Sequence, residues 1–317
     1  MEYRPRIFWK ERYTFGRPRN SHPSVDLFRV YFVMPMAFEP SDKEEIIQSL
    51  WGGYGRLVRR RTPNGPIIVK DIRWHSGKGD ASHRRKLRSY QEESHWYAHW
   101  AARVPMCCRI PCFLGVESKS DGMILELEDL DAAGFPRRSS RLRGDDLHGA
   151  IAWLATFHAA FLGVAPDGLW EEGSYWHLGT RREEYAAMPP SRLRTLAPEL
   201  DRRLSKARFR TIIHGDAKPD NFCLGAPGKV AMVDFQYVGG GCGMRDLAYL
   251  IDCVFDEAPE GRRTADALDT YFGILRDRLR ADARHAPLAE AVEAEWRELY
   301  PVAWMDYQRF LEGWRRG

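Results

Sequence analysis

The chain has 317 residues, of which 44% are hydrophobic and 29% are charged, and its formal net charge is +4. This length allows a sizeable core and suggests about two domains or lobes. The longest apolar run, residues 30–38, is far shorter than the roughly 18 residues that a membrane-spanning helix needs. Residues 1–15 offer no apolar segment of a secretory leader. We therefore expect a soluble cytoplasmic protein with no membrane partner.

The first part of the chain contains strand-like segments and a tight turn. Residues 1–45 form an arm rich in Arg and aromatic side chains, to which the sequence assigns no role. A TPNG turn at 62–65 separates two strand-like segments, 46–61 and 66–74. An Asn-Gly pair between two apolar segments is a strong β-hairpin signal. We therefore predict a hairpin directly after the arm. This hairpin belongs to a β-rich lobe, which the arm joins.

A helix and a further apolar segment follow the hairpin. The helix is predicted over about 85–102, because large side chains recur there at helical spacing: Leu87, Tyr90, Trp96, Tyr97 and Trp100. The apolar segment GMILELEDL, residues 122–130, ends in acidic residues. Together with the hairpin, these elements indicate a small β-rich lobe that contains one helix.

Helical patterns dominate the rest of the chain, most clearly at 146–163. Short strands are predicted there only at 211–213 and 230–234. The sequence therefore predicts an α+β fold with two lobes. The β-rich N-lobe spans residues 46–130, and the larger, mainly helical C-lobe spans residues 131–317.

The segment HGDAKPDN, residues 214–221, collects polar side chains between two apolar segments. Most segments of this composition are only turns, but this spacing also supplies the groups that phosphoryl transfer needs. Asp216 can accept a hydroxyl proton, and Lys218 can contact the γ-phosphate of a nucleotide. Asn221 can hold a metal ion, and His214 is assigned to structural support.

A second candidate metal ligand ends the apolar strand at 230–234. This residue is Asp234, and its carboxylate is costly to bury there unless it is paired or bound to a metal. Mg²⁺ prefers oxygen ligands, commonly one or two carboxylates together with phosphates and water. Asn221 and Asp234 therefore predict a Mg²⁺ site next to a bound ATP.

Two features of the predicted hairpin region fit a nucleotide site. The WGGYG turn, with Gly52, Gly53 and Gly55, can cover phosphates with its backbone, although glycine-rich hairpins are common. Lys70 ends the IIVK segment and resembles the strand lysine that contacts phosphates in kinases. A single lysine at a strand end is more often solvated. The order of these features along the chain favours the nucleotide site.

The predicted helix offers two neighbouring carboxylates as partners for Lys70. Glu93 lies three residues from both Tyr90 and Trp96, which define the core face of the helix. We therefore predict that Glu93 pairs with Lys70. Glu92, the alternative partner, is expected to be a solvated helix residue.

Together these motifs resemble the protein-kinase-like superfamily, and within it the small-molecule kinases of the aminoglycoside phosphotransferase and choline kinase group. The nearest resemblance is to the ecdysteroid-kinase-like branch. It depends on HGDAKPDNF, MVDFQYVGGGCGMRDLAYL, RKLRSYQEESHWY and LELEDL, and it covers roughly residues 46–255. Segments 169–184 and 304–314 also resemble that branch, but the sequence assigns no chemical role to either segment. The resemblance implies a bilobal, protein-kinase-like fold.

Position by position, the resemblance implies an ATP-dependent active site. Asp216 would be the catalytic base, and Asn221 with Asp234 would hold Mg²⁺. Lys70 would bind the α- and β-phosphates, and Glu93 would hold Lys70 in position.

The resemblance also covers the adenine site, with two departures elsewhere. Glu128 and Leu130 would offer backbone hydrogen bonds to adenine, and Asp246 would brace the catalytic loop. Lys218 follows the protein-kinase pattern, whereas many small-molecule kinases of this group lack it. Gln236 stands where protein kinases have Gly, which puts the loop motion associated with that Gly in doubt.

A protein kinase is a less favoured alternative. An APE motif occurs at 258–260, but residues 246–255 have apolar side chains on one helical face, which is typical of a buried helix and not of a mobile loop. Gly215 precedes Asp216, where an arginine would read a phosphorylated loop. The sequence therefore favours a small hydroxylated molecule as the acceptor.

The acceptor itself is poorly determined by the sequence. The C-lobe is rich in aromatic side chains whose spacing first suggests core packing, and some of which can line a pocket for an apolar ring system or a quaternary amine. No acidic cluster favours a polycationic aminoglycoside. The aromatic residues are Trp170, Tyr175, Trp176, Trp296, Trp304, Tyr307 and Trp314.

We therefore predict a kinase that uses ATP and Mg²⁺ to phosphorylate a hydroxyl of a small molecule. The main alternative is a catalytically silent nucleotide-binding or scaffold protein on the same fold. A third hypothesis is a nucleic-acid-binding protein, because basic clusters occur at 56–61, 83–88 and 137–143. No nucleic-acid-binding motif accompanies these clusters. Nucleic acid is thus not the expected partner, and the sequence leaves the oligomeric state open.

Overall fold

The computed structural model of the protein describes residues 44–74, 79–255 and 257–314. Its first part contains the strands β1 (Glu44–Ser49), β2 (Gly55–Thr62), β3 (Gly65–Arg73), β4 (Phe113–Lys119) and β5 (Gly122–Glu128). They form one antiparallel sheet in the spatial order β1-β2-β3-β5-β4. Helix α1, Ala81–His99, connects β3 to β4. Of the arm predicted over residues 1–45, all but the last two residues lie outside the described part of the chain.

The predicted hairpin is present as β2 and β3. Thr62 and Gly65 pair across its turn, and the Thr62 hydroxyl donates to the Gly65 carbonyl at 2.7 Å. The strand-like segment predicted at 46–61 is interrupted by a short 3-10 turn at Trp51–Gly53, where the glycine backbone leaves the extended conformation. Strand β4 was not predicted, because most of its side chains are exposed and it lacks a regular apolar alternation.

Helix α1 begins four residues earlier than the sequence pattern predicted. Asp80 caps its first turn by accepting the amide of His83 at 2.7 Å, and the first turns are largely polar. The predicted core face is buried at its four aromatic residues, of which Trp96 is fully buried. The Trp96 ring stacks on Phe235 with 4.8 Å between the ring centres. This stack fixes α1 of the sheet region against the loop that follows Asp234.

The second part of the chain is mainly helical, and its largest apolar cluster includes side chains from all of the longer helices. The helices are α2 (Gly144–Ala160), α3 (Arg182–Ala187), α4 (Arg192–Ser205), α5 (Met244–Val254), α6 (Arg262–Arg280) and α7 (Ala289–Trp314). Two short antiparallel strand pairs lie among them. These pairs are β6 (Thr211–Ile213) with β9 (Gly239–Gly241), and β7 (Phe222–Leu224) with β8 (Val230–Met232).

This architecture confirms the predicted α+β fold, with a β-sheet region followed by a helical region. No helix in the described part of the chain is both long and apolar enough to cross a membrane. Strands β7 and β9 are additions to the predicted elements. The sequence of β9 is Gly-Gly-Gly, and glycine has a low strand propensity, so no local signal indicates a strand there.

Candidate active site

The loop between β6 and β7 contains the HGDAKPDN segment, and helix α5 holds it in place. The buried Asp246 carboxylate of α5 accepts the backbone amides of His214 at 2.6 Å and Gly215 at 2.8 Å. Asp246 also lies 3.2 Å from Nε2 of the buried His158 on α2. A carboxylate that accepts several hydrogen bonds in the protein interior orders the groups that donate them. The loop backbone is therefore fixed immediately before Asp216.

The imidazole of His214 has a defined role inside this loop. Its Nε2 lies 3.0 Å from the Val233 carbonyl, and its Nδ1 accepts the Asp216 amide at 3.2 Å. These contacts require a neutral ring with the proton on Nε2. Burial lowers the pKa of His214, although the nearby carboxylates Asp246 and Asp216 oppose this effect. A neutral His214 thus joins the loop between β6 and β7 to the segment that ends in Asp234.

The Asp216 side chain is buried, and its two carboxylate oxygens have different surroundings. Oδ2 accepts Nδ2 of Asn221 at 3.1 Å and lies 3.3 Å from Nζ of Lys218. Oδ1 is buried and accepts no hydrogen bond within the described residues. Burial raises the pKa of Asp216, and Asp234 adds to the rise while Lys218 opposes it. An unpaired buried carboxylate oxygen calls for an explanation, and a ligand that donates a hydrogen bond would supply one.

Asp234 lies two residues after the end of β8 and has a left-handed backbone, with φ of +69°. Such a conformation is strained for a residue other than glycine and is often retained at functional sites. Its Oδ1 accepts Nε2 of Gln236 at 2.6 Å and lies 3.4 Å from Nζ of Lys70. Burial would raise the pKa of Asp234, but Lys70, Lys218 and other nearby cations outweigh it and lower the pKa to about 2. The carboxylate is therefore ionised and surrounded by positive charge.

Asn221 and Asp234 lie at neighbouring strand ends. Strands β7 and β8 are paired, and the Val233 amide donates to the Asn221 carbonyl at 3.0 Å, directly before Asp234. The side chains available there are one carboxylate and one amide oxygen, which are hard ligands suited to Mg²⁺. Within the described residues, no group of three or more His, Cys, Asp or Glu side chains is arranged for a metal ion. The donor set fits an ion that takes its remaining ligands from phosphates and water.

Lys70 on β3 and Glu93 on α1 form a buried ion pair, with 2.6 Å between Nζ and Oε2. Burial lowers the pKa of Lys70, but Glu93 and Asp234 outweigh this effect and raise it, so the lysine is charged. Glu92, in contrast, accepts Nε of Arg88 at 2.9 Å. The expectation that Glu92 is solvated is wrong, because the residue is buried and one carboxylate oxygen has no partner within the described chain.

The glycine-rich turn and the two predicted adenine contacts lie around the β-sheet. Gly52 and Gly53, in the exposed turn between β1 and β2, and Gly55, at the start of β2, all have positive φ. The backbone amide of Glu128 donates to the Cys112 carbonyl at 3.0 Å, so only the Glu128 carbonyl remains for a ligand. The amide of Leu130 donates to no group in the described part of the chain. The two residues can thus offer one acceptor and one donor.

Three site residues were not singled out by the sequence analysis: Lys86, Ser89 and His158. Lys86 lies two helical turns before Glu93, on the same face of α1, and its Nζ donates to Oε1 of Gln236 at 3.0 Å. Ser89 contacts the same Gln236 oxygen at 3.1 Å. The seven-residue spacing from Glu93 was a usable signal for Lys86. His158 had no such signal, because it resembles any buried helix residue until α2 and α5 pack together.

One known protein family matches most of this chain. The model of the phosphotransferase enzyme family matches residues 46–299. No curated protein matches the sequence.

Several solved structures are similar to this chain at low identity. An aminoglycoside 3'-phosphotransferase of type VIII is 18% identical, with 83% of this chain and 94% of that chain covered and a TM-score of 0.45. The aminoglycoside phosphotransferase APH(3'')-Id from Streptomyces rimosus, in complex with ADP and streptomycin, is 17% identical (78% and 90% covered, TM-score 0.45). The macrolide 2'-phosphotransferase MphH from Brachybacterium faecium is 16% identical (82% and 90% covered, TM-score 0.46). Because the family model matches well over half of the chain, the protein belongs to the phosphotransferase enzyme family, as the motifs predicted.

Proposed function

We propose that the protein is a kinase that uses ATP and Mg²⁺ to phosphorylate a hydroxyl of a small molecule. The observation that carries this proposal is the convergence of opposite charges at Asp234. Its carboxylate lies 3.4 Å from the Lys70 ammonium and next to Asn221, while Asp216 offers an unpaired oxygen on the adjoining loop. Cationic groups for phosphates, oxygen ligands for a metal ion and an acceptor for a proton therefore occur in one place.

The residues of the N-lobe would bind the nucleotide. Lys70 is proposed to contact the α- and β-phosphates, and Glu93 to hold Lys70 in position. The amide of Leu130 and the carbonyl of Glu128 are proposed to bind the adenine edge. The glycine-rich turn, Gly52, Gly53 and Gly55, would cover the phosphates with backbone amides. We place the boundary between the two lobes at residue 130, directly after these adenine contacts.

The residues of the C-lobe would bind Mg²⁺ and activate the acceptor. Asn221 and Asp234 are proposed to hold Mg²⁺, which when bound neutralises charge on the phosphate oxygens. Asp216 would accept the proton of the acceptor hydroxyl through Oδ1, since Oδ2 is already held by Asn221. Lys218, 3.3 Å from Asp216, would contact the γ-phosphoryl group as it moves towards that hydroxyl.

Two features favour a small-molecule acceptor over a protein. A Cβ atom on Gly215 would come within 2.1 Å of the Tyr237 carbonyl, and Gly215 has φ of +81°, so the arginine that reads a phosphorylated loop cannot occupy this position. Helix α5, Met244–Val254, is almost entirely buried where a protein kinase would have a mobile activation segment. These features, with the motifs described above, support assignment to the ecdysteroid-kinase-like branch.

Nucleic-acid binding is not supported by the contacts of the basic clusters. Arginines from all three clusters form ion pairs within the chain, so much of their charge is already neutralised. These arginines are Arg56, Arg59, Arg60, Arg85, Arg88, Arg137 and Arg138. A cytoplasmic location is part of the proposal, because ATP is the phosphate donor and all six cysteines are free thiols.

The acceptor would bind beside an aromatic cluster formed by Tyr175, Tyr237, Phe310 and Trp314. Tyr175 lies at its centre, with ring centres 5.2 Å from Tyr237, 5.6 Å from Phe310 and 6.0 Å from Trp314. The Tyr175 amide donates to the Gly215 carbonyl at 2.7 Å, one residue before the proposed base. Segments 169–184 and 304–314, which the sequence could not tie to chemistry, thus meet beside the catalytic loop.

The backbone next to this cluster is strained. Ser174 is buried and has φ of +113°, which is rare for a residue other than glycine. Its amide donates to the Tyr237 carbonyl at 3.2 Å. The strained residue therefore connects the two tyrosines of the cluster, and backbone strain of this kind is typical of functional sites.

The aromatic cluster already contains a cation. The guanidinium of Arg181 lies 3.8 Å from the Tyr175 ring centre and 5.2 Å from that of Trp314, and it pairs with Glu184 at 3.0 Å. A quaternary ammonium group would have to occupy the same position over these rings. We therefore propose an uncharged acceptor with a flat apolar part, and not a quaternary amine or a polycation.

A panel of hydroxylated compounds tests this acceptor class. With ATP consumption as the readout, a polycyclic alcohol should be phosphorylated faster than choline or an aminoglycoside. Tyr175→Ala should raise the KM for the active alcohol and leave the KM for ATP unchanged, because Tyr175 lies on the acceptor side. Preferential phosphorylation of choline would contradict the proposed class.

The nucleotide site is tested by thermal unfolding. A nucleotide that binds only the folded state raises the melting temperature, and ATP or ADP with Mg²⁺ should raise that of the wild type by several degrees. In Lys70→Ala this nucleotide-induced rise should be much smaller, because the phosphate contact is lost. The exposed Lys119, at the end of β4, provides the control, and Lys119→Ala should keep the full rise.

The induced rise is the correct quantity to compare between these variants. Removing Lys70 leaves Glu93 as an unpaired buried carboxylate, so the ligand-free variant is itself expected to melt earlier. If neither nucleotide changes the melting temperature of the wild type, the proposed kinase function is wrong.

A further inference from the structure

Helix α1 presents a second lysine to the candidate phosphate site. Lys86, Tyr90 and Glu93 are spaced for one face of the helix. The Lys86 Nζ lies 4.7 Å from the centre of the Tyr90 ring, and the Lys70 Nζ lies 5.4 Å from the same centre. One aromatic ring is therefore shared by two ammonium groups, one from β3 and one from α1.

The two lysines differ in their partners. Lys70 lies within ion-pair distance of two carboxylates, Glu93 at 2.6 Å and Asp234 at 3.4 Å, whereas Lys86 has no carboxylate within this distance in the described part of the chain. Its one polar contact there is with a neutral amide oxygen, Oε1 of Gln236. Burial lowers the pKa of Lys86 to about 8, with Asp234 opposing the shift and Lys70 adding to it. A partly buried ammonium without a counter-charge is costly, and binding an anion would remove that cost.

Gln236 fixes the position of Lys86 relative to Asp234. Its side-chain amide is buried, donates through Nε2 to Asp234 at 2.6 Å, and accepts through Oε1 from Lys86 at 3.0 Å and Ser89 at 3.1 Å. The NH₂ group must face the carboxylate, and the oxygen must face the two donors. Gln236 thus keeps the Lys86 ammonium close to Asp234 without a direct ion pair between them.

We propose that Lys86 is a second phosphate-binding lysine, which contacts the terminal phosphate of the nucleoside triphosphate. The inference rests on the proposed function and adds a residue to it. Lys70 already lies within ion-pair distance of Glu93 and Asp234, whereas the only polar contact of the Lys86 ammonium in the described part of the chain is the neutral Gln236 oxygen. The Lys86 ammonium contacts Gln236, whose amide donates to Asp234, so it lies one side chain away from the proposed metal ligand. When ATP is bound, the ammonium would move from Gln236 to the terminal phosphate.

Calorimetric titration with ATP and with ADP, both in Mg²⁺, tests this inference on the full chain. We expect Lys86→Met to weaken ATP binding about tenfold, the size of one lost charge-assisted hydrogen bond, and ADP binding by less than about twofold. Lys86→Arg should restore most of the ATP affinity. Lys119→Met removes the same charge from the exposed end of β4 and should change neither affinity.

The ADP titration separates binding from a merely structural role. If Lys86 acted only by holding Gln236 and Asp234 in place, Lys86→Met would weaken ADP and ATP binding equally, and the assignment to the terminal phosphate would be wrong. ATP affinity equal to that of the wild type would also overturn the inference, while leaving the kinase proposal intact. Failure of the wild type to bind either nucleotide would instead overturn the proposed function, and this inference with it.

Discussion

Replacing Asp216 with Asn should lower kcat by about a thousandfold, the usual contribution of a general base, while ATP affinity stays within about twofold of the wild type. The substitution keeps the size of the side chain and an oxygen that can accept the Lys218 or Asn221 hydrogen bond. It removes the ability to take a proton from the acceptor hydroxyl. Because burial raises the pKa of Asp216, the acid limb of the wild-type kcat profile should lie above the ordinary value of 3.8.

A matched control for this variant lies in the same loop. Asp220 is exposed and four residues further along, so Asp220→Asn should keep nearly full kcat. Steady-state kinetics with ATP as the varied substrate, together with calorimetry for ATP affinity, provide the comparison. Without an acceptor, the wild type should hydrolyse ATP slowly, and Asp216→Asn should not. This difference would exclude a catalytically silent protein. A variant with near-normal kcat would show that Asp216 is not the base.

Removal of Asp234 should have the second large effect. We expect Asp234→Ala to lower kcat by about a thousandfold and Asn221→Ala by about a hundredfold, because a charged ligand contributes more to Mg²⁺ binding than a neutral one. Both variants should need more Mg²⁺ for half-maximal activity. The measurement is a titration of activity with Mg²⁺ at fixed ATP, below the unfolding temperature of each variant.

Each of these two substitutions should also affect groups near the metal site. Asp234 carries the negative charge that Lys70 and Lys218 face, so Asp234→Ala should also melt earlier than the wild type. Asn221 donates to both the backbone and the side chain of Asp216, at 2.8 Å and 3.1 Å, so Asn221→Ala should also loosen the proposed base. Asp121→Ala, in the exposed turn between β4 and β5, serves as the control. Equal, small losses in Asp234→Ala and Asn221→Ala would contradict the metal assignment.

The sequence alone was sufficient for features that depend on residues close together in the chain. The TPNG turn predicted the β2–β3 hairpin, and the aromatic spacing in α1 predicted its buried face. The HGDAKPDN segment predicted a polar loop at the end of the short strand at 211–213. In each case the governing physics is local, because turn geometry and helical periodicity are properties of a few consecutive residues.

Other features depend on which elements pack against each other. Glu92 and Glu93 point in directions about 100° apart around α1. The prediction that Glu92 is solvated failed because the side of the helix that carries Glu92 is buried as well. The link from Lys86 through Gln236 to Asp234 joins residues that are up to 150 positions apart in sequence. No local pattern predicts such a contact.

The acceptor side shows the same division between sequence and tertiary structure. The sequence identified Tyr175 and Trp314 as aromatic residues of two separate segments, and it left a quaternary amine and an apolar ring as alternatives. Only the packing of α7 against the segment around Tyr175 brings these rings together, with Arg181 next to both of them. The sequence determines which side chains are present, but the tertiary fold decides which charge an aromatic ring faces. The reason is that Coulomb and cation–π energies depend on distances in space and not on positions along the chain.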